Sequence, residues 1–118
     1  MIDYKGKQIH LACGATNMRY GIDALAAVVV GSFKLSPISD SIFIFCNAAR
    51  NRIKILQWDG NGFWLHYKRL EHGKFPWPKT SGESKTMTLS EQELEILLGG
   101  TQLKLKLDRI NLSSATVA

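Results

Sequence analysis

The chain has little that would support a metal centre or a disulfide framework. Among its 118 residues there are two cysteines, and Cys13 and Cys46 belong to no Cys-x-x-Cys motif or Cys/His cluster. The three histidines, His10, His66 and His72, also lack the spacing of metal ligands. We therefore expect two free thiols in a reducing compartment, no metal and no other cofactor.

Long apolar runs are also missing. The longest, Ala24 to Val30 with Ile22 just before it, is far shorter than the roughly 20 residues that a helix needs to span a bilayer. The residues after Met1 do not form a basic and then apolar secretory leader. These absences predict a cytoplasmic protein without a membrane partner, associated with the nucleoid if it binds DNA.

The sequence contains no recognisable catalytic or nucleotide-binding pattern. Gly60-Asn61-Gly62 is too short for a phosphate-binding loop, and no helix is expected to follow it. Asp59 is typical of a turn, and Glu91, Glu93 and Glu95 fit a solvated helix face. We therefore predict that the chain is not an enzyme.

What the chain does have is a concentration of basic and aromatic residues between Arg50 and Lys79. That segment holds seven basic and two acidic residues, so its charge of seven minus two equals the +5 of the whole molecule. It also holds all three tryptophans, Trp58, Trp64 and Trp77. Such a segment favours an anionic partner such as nucleic acid, through phosphate neutralisation and base stacking. Core packing of the tryptophans is the structural alternative.

Length and periodicity predict a single α+β domain over residues 1–118. We expect a short strand at Ile9 to Ala12 and a helix that begins at Ile22, where apolar residues recur at helical spacing. The apolar run from Ile42 to Cys46 is typical of a central strand that is buried on both faces.

A hairpin is expected next. Arg52 to Trp58 and Phe63 to Leu70 have strand character, and Asp59-Gly60-Asn61-Gly62 between them is a strong hairpin signal. The predicted architecture is an antiparallel β-meander of three or more strands, packed with about two helices.

An odd-length hairpin loop would separate charged from apolar side chains best. It would place Lys54 opposite Lys68, and such a like-charge pair is unfavourable unless an anion lies across it. The resulting face is the candidate nucleic-acid-binding site. Its residues are Arg52, Lys54, Trp64, His66 and Lys68, extended by Arg50, Arg69 and Lys74.

The region after the hairpin has three further features. The prolines make Phe75-Pro76-Trp77-Pro78 a stiff extended strap, because proline cannot donate a ladder hydrogen bond and restricts the residue before it. Residues 79–85 are interpreted as a mobile linker. Ser90 and Glu93 predict a capping box at the start of a second helix. Alternating leucine and lysine in residues 103–107 indicates a last strand or a partner-dependent extension.

Three segments carry a resemblance to a known family. MRYGIDALA (Met18 to Ala26), IFIFCN (Ile42 to Asn47) and the long stretch from Arg52 to Pro78 resemble TnpB, the accessory family encoded by the second open reading frame of the insertion-sequence sixty-six bacterial transposable elements. The most specific spacings are W-D-G-x-G-F and Y-K-R-L-x-x-G-x-F-P-W-P. The resemblance spans roughly His10 to Gly99, and residues 100–118 form a divergent tail.

This resemblance implies a non-enzymatic protein that assists transposition beside a separate transposase. The expected partners are element DNA, the transposase or both, with a homo-oligomer as a further option. In the leading interpretation the basic aromatic sheet face binds DNA. In the alternative, an exposed Phe75-Pro76-Trp77-Pro78 strap docks to the transposase or to a second copy, without direct DNA binding.

Overall fold

The computed structural model describes residues 2–79 and 85–99, and in this part of the chain it confirms the predicted α+β class. The described residues form a five-stranded sheet and two helices. In chain order the elements are β1 (Gln8–Ala12), α1 (Ile22–Gly31), β2 (Ser41–Cys46), β3 (Arg52–Trp58), β4 (Phe63–Arg69), β5 (Thr86–Leu89) and α2 (Glu91–Leu98).

The sheet is mixed, which corrects the expectation of a plain meander. Its strand order is β4-β3-β2-β1-β5. The predicted antiparallel meander is present as β2, β3 and β4, but β1 pairs with β2 in parallel and β5 pairs with β1 antiparallel. The parallel pair arises because α1 forms the crossover that parallel neighbours require.

The central strand β2 is buried on both faces, as predicted. Ile42 to Cys46 are each at most 1% exposed. Phe43 and Phe45 pack with Leu25 and Val29 of α1, on what we call the α1 face of the sheet. The alternate residues of β2 pack on the opposite side against α2, on what we call the α2 face. A strand covered on both sides requires a continuous apolar run, which is what this segment has.

The capping box of α2 is confirmed. The Ser90 hydroxyl accepts a hydrogen bond from the Glu93 backbone N–H at 3.0 Å, and the Glu93 carboxylate accepts one from the Ser90 N–H at 2.9 Å. Leu94 and Leu97 of this helix are fully buried against the α2 face. The cap therefore fixes where the helix starts and which side it presents to the sheet.

The strap is not part of a strand, in agreement with the prediction that it cannot pair along its length, but it is not exposed. Phe75 and Pro76 are buried, Trp77 is 7% exposed, and the rings of Phe75 and Trp77 belong to the core on the α2 face. The Trp77 indole N–H donates to the Ala12 carbonyl at 2.9 Å. The prediction of an exposed docking strap is therefore wrong, since these aromatic rings complete the core.

The hairpin between β3 and β4 has an even-length loop, so the predicted odd loop is wrong. The strands end at Trp58 and begin again at Phe63, with four residues between them. The Asp59 backbone N–H donates to the Gly62 carbonyl at 3.0 Å, and Gly60 has a φ of 103°, which favours glycine. The register that follows pairs Lys54 with Tyr67 rather than with Lys68.

Two expectations fall on residues that lie outside the described part of the chain. The linker of residues 79–85 is described only at its two ends, and the tail of residues 100–118 is not described.

Candidate nucleic-acid interface

The hairpin register divides the predicted binding residues between the two faces of the sheet. Arg52 pairs with Arg69 and Lys54 pairs with Tyr67, so these four side chains point to the α1 face. The predicted residues Trp64, His66 and Lys68 occupy the alternate positions of β4 and point to the α2 face. The single predicted face is therefore wrong, because a register shift of one residue exchanges the faces of a strand.

Two arginines lie directly opposite each other where β3 begins and β4 ends. Arg52 and Arg69 are register partners, and both are exposed. Directly opposed side chains of an antiparallel pair stand about 5 Å apart at Cβ, and like charges there are unfavourable. The Arg69 Nε donates to the Glu71 carboxylate at 2.8 Å, which offsets part of the repulsion and leaves the other N–H groups of that guanidinium available.

Lys54 anchors the loop that precedes α1. Its ammonium donates to the backbone carbonyls of Met18 at 2.8 Å and Tyr20 at 2.9 Å. It also lies 6.0 Å from the centroid of the Tyr67 ring, within the range of a cation–π interaction. Because Lys54 holds the carbonyls on both sides of Arg19, that arginine and Tyr20 are brought beside the β3–β4 hairpin.

The result is a continuous surface that we call the basic face. It has four cations and two tyrosines, and Tyr67 and Tyr20 are 55% and 38% exposed. The residues of the basic face are Arg19, Tyr20, Arg52, Lys54, Tyr67 and Arg69. Cations beside exposed aromatic rings are the groups that neutralise phosphate and stack on bases.

Sequence reasoning missed three members of this face. The expected odd hairpin loop would turn Tyr67 to the side opposite Lys54, because a shift of one residue exchanges the faces of a strand. Arg19 and Tyr20 lie far from the basic segment in sequence, and only the contact with Lys54 brings them to it. The usable signal was the hairpin loop itself, since the four residues Asp59 to Gly62 permit an even register that pairs Lys54 with Tyr67.

The remaining predicted residues of β4 have structural partners. The Lys68 ammonium donates to the carbonyl of Leu98 at the end of α2. A cation at this position interacts favourably with the negative end of the helix dipole. His66 Nε2 lies 3.2 Å from the side-chain oxygen of Gln57, and burial lowers the pKa of His66 below its ordinary value. Trp64 is largely exposed on the same side, where it borders a cleft.

Arg50 and Lys74 lie together beside the strap rather than on the basic face. The Arg50 carbonyl accepts a hydrogen bond from the Phe75 N–H, which brings the β2–β3 loop against the residue after Lys74. Both side chains are exposed. Arg50 has a φ of 61°, an uncommon conformation for a residue with a side chain. The side-chain amide oxygen of Asn47 stabilises this turn by accepting the N–H groups of Asn51 and Arg52, each at 3.0 Å.

Within residues 2–79 and 85–99, no three His, Cys, Asp or Glu side chains are grouped so that they could hold a metal ion. Neither of the two described helices has the length and apolar character to cross a membrane.

Comparison with known proteins shows to which family the sequence is similar. Residues 7–107 match the family model described as IS66 Orf2 like protein. The chain is also similar to two proteins of Sinorhizobium fredii. Uncharacterized protein y4hO is 36% identical over 93 residues, which cover 79% of each chain. Uncharacterized protein y4jC is 30% identical over 96 residues, which cover 81% of this chain and 80% of the relative. No solved structure matches the chain.

Proposed function

The chain belongs to the IS66 Orf2-like family, and on that premise we propose that it is a non-enzymatic accessory protein of DNA transposition whose basic face binds the DNA backbone. The family assignment supports the process. The basic face supports DNA as a direct partner, because its cations and rings match the chemistry of a nucleic-acid strand.

The observation that carries the proposal is the opposed pair of arginines. Arg52 and Arg69 face each other on adjacent strands, and the salt bridge that the pair forms within the described residues joins Arg69 to Glu71. An isolated sheet gains nothing from two guanidinium groups at this spacing. A phosphate placed across the pair would accept hydrogen bonds from both, and guanidinium is well shaped to donate two parallel bonds to phosphate.

The neighbouring groups extend this contact along a strand. Lys54 positions the loop through its two carbonyl contacts, while Arg19 adds a third exposed guanidinium. Tyr20 and Tyr67 present exposed rings beside these charges. None of these groups selects a base by its shape alone, so the proposed binding is dominated by the backbone and has little sequence preference.

The experiment is a titration of labelled DNA with the full chain, followed by fluorescence anisotropy at several salt concentrations. Duplexes carrying the element end and a scrambled sequence are compared, together with single strands. The expected result is salt-sensitive binding to both duplexes. The variant Arg52→Ala/Arg69→Ala should lower the affinity for every duplex and reduce the slope of log Kobs against log salt by about 2.

A matched control variant distinguishes the effect of lower net charge from the effect of removing cations of the basic face. Lys5→Ala/Lys85→Ala also removes two positive charges. Lys85 directly precedes β5 at the other edge of the sheet, and Lys5 lies between two residues that hydrogen-bond to α2. This control should leave the slope nearly unchanged. Equal effects of the two double variants would show that net charge, and not the basic face, governs binding.

A further inference from the structure

An open cleft lies at the hairpin end of the sheet, where Gln57, Trp64 and His66 line it from the α2 face. Its volume is about 650 Å³. The hairpin loop, the β4 residues Trp64 and His66, the N-terminal Asp3 and the loop of residues 38–40 line it.

Trp64 forms one wall of this cleft and is held in place although it is 57% exposed. Its indole N–H donates to the Asp59 carboxylate at 2.6 Å. Its ring stacks on the His66 ring, with centroids 6.1 Å apart and planes 12° from parallel. An exposed aromatic ring that is already oriented loses little conformational entropy when a partner covers it, which is the property of an interface anchor.

Two successive hydrogen bonds support His66, the residue on which the Trp64 ring stacks. His66 Nε2 lies 3.2 Å from the Gln57 side-chain oxygen, so this nitrogen carries the proton. The Gln57 amide nitrogen donates in turn to the Asp3 carbonyl at 2.7 Å, and Gln57 is 6% exposed. Ring stacking joins Trp64 to His66, and hydrogen bonds through Gln57 connect His66 to the Asp3 carbonyl of the N-terminal segment.

The charge of the cleft is opposite to that of the molecule. Among the described residues that line it are Asp3, Asp40 and Asp59 with one cation, Lys7, which pairs with Asp40 at 2.9 Å. Of the three carboxylates, those of Asp3 and Asp59 form no salt bridge within the described residues, in a chain whose net charge is +5. The complementary ligand is a cation, and the cation that best combines a carboxylate with an indole face is guanidinium.

We propose that this cleft binds an arginine-bearing segment of a partner protein, with the guanidinium stacked on Trp64 and hydrogen-bonded to Asp59. Within residues 2–79 and 85–99, a second copy of this chain offers a poorer occupant. The described arginines lie on a sheet face or in short loops rather than on an extended segment that would enter the cleft. The inference does not depend on DNA binding, since the cleft and the basic face have no residue in common.

Peptide titration of the full chain tests this directly. The probe is a short Gly/Ser peptide with two central arginines, compared with its citrulline analogue, which keeps the shape and removes the charge. Binding is followed through the indole N–H resonances of the three tryptophans. The expected result is a shift of the Trp64 resonance with the arginine peptide, no shift of the buried Trp77 resonance, and at least about tenfold weaker binding of the citrulline peptide.

Two variants locate the interaction. Asp59→Asn keeps a hydrogen-bond acceptor for the indole and removes the charge, and Trp64→Phe keeps a ring and removes the N–H donor. Asp59→Asn should weaken binding of the arginine peptide about tenfold. Trp64→Phe should weaken it by a smaller factor, because phenylalanine still offers a ring to the cation although tryptophan is the stronger partner. Arg52→Ala/Arg69→Ala should leave peptide binding unchanged. Overlapping peptides of the element's transposase should then include an arginine-bearing segment that binds more tightly than the probe.

Three outcomes would overturn the proposal. One is an arginine peptide that fails to shift the Trp64 resonance, and another is equal binding of the arginine and citrulline peptides. The third is a concentration-dependent dimer in sedimentation analysis that Asp59→Asn abolishes while no peptide binds, since the occupant would then be a second copy of the chain.

Discussion

Replacing Trp77 by alanine tests whether the strap is part of the hydrophobic core or a docking element for a partner. The indole is 7% exposed, packs in the core on the α2 face and donates a hydrogen bond to the Ala12 carbonyl. Removing a buried aromatic side chain costs the transfer free energy of the ring together with that of the cavity it leaves, about 3–5 kcal/mol in total. A domain of this size is stable by only about 5–15 kcal/mol. The variant should therefore lose a large part of its stability.

The assay is urea unfolding followed by far-UV circular dichroism, which does not depend on tryptophan emission. Trp64→Ala is the matched control, because it makes the same chemical change at a ring that is 57% exposed, and it should cost about 1 kcal/mol or less. Trp77→Phe keeps most of the apolar ring and removes the N–H donor to Ala12. It should cost about 1–2 kcal/mol, since the buried carbonyl loses a partner.

The reasoning fails if Trp77→Ala and Trp64→Ala destabilise the protein equally. It also fails if Trp77→Ala costs less than about 1 kcal/mol, because no buried aromatic anchor is truncated so cheaply. Either result would return the strap to the surface as a candidate docking element.

Three further predictions concern single side chains. Lys54→Met keeps the apolar stem and removes the donor to the Met18 and Tyr20 carbonyls. The free energy of unfolding should fall by about 1–2 kcal/mol. An unchanged value would refute the claim that Lys54 anchors the loop before α1. Ser90→Ala removes the capping-box hydroxyl of α2 and should cost about 1 kcal/mol in urea unfolding, whereas Ser90→Asp should recover most of it. Burial raises the pKa of the Cys46 thiol from 9.0 to about 12. The folded state then retains a proton that the unfolded state loses, so stability should decline from pH 9 to 12, less steeply in Cys46→Ala, and equal slopes would contradict this linkage.

The elements that sequence reasoning located correctly are those with strong local signals. β2 is an uninterrupted apolar run, β3 was predicted with the bounds that the structure has, and α2 starts at a capping box that both backbone and side chains satisfy. In each case the deciding interactions lie within the segment or require only that both sides be covered.

What the sequence could not determine depends on distant contacts. The predicted β3–β4 register was wrong because β3 contributes to the core on each side of the sheet: Ile53 and Ile55 pack on the α2 face, whereas Leu56 packs on the α1 face. Alternation therefore could not choose the loop length. Lys54 is predicted to bind nucleic acid, whereas its ammonium donates to the backbone carbonyls of Met18 and Tyr20. β5 was missed although Thr86 to Leu89 alternates polar and apolar residues, because it is short and pairs with a strand more than 70 positions earlier.

The candidate site shows the same division. The sequence identified the basic segment, and the structure kept Arg52, Lys54 and Arg69 on one face. It could not identify Arg19 and Tyr20, which reach that face through the loop that Lys54 holds. It also could not show that the strap is core, because proline and aromatic residues have the same local pattern whether the rings are covered or exposed.

The most direct measurement of the central claim compares Arg52→Ala with Lys68→Gln in DNA anisotropy over a series of salt concentrations. Each variant removes one positive charge from the same hairpin, but Arg52 lies on the basic face and Lys68 points to the opposite side, where it contacts the end of α2. The account predicts that Arg52→Ala reduces the slope of log Kobs against log salt by about 1 and that Lys68→Gln leaves it unchanged. An unchanged slope in Arg52→Ala, or an equal reduction in Lys68→Gln, would contradict DNA binding by the basic face.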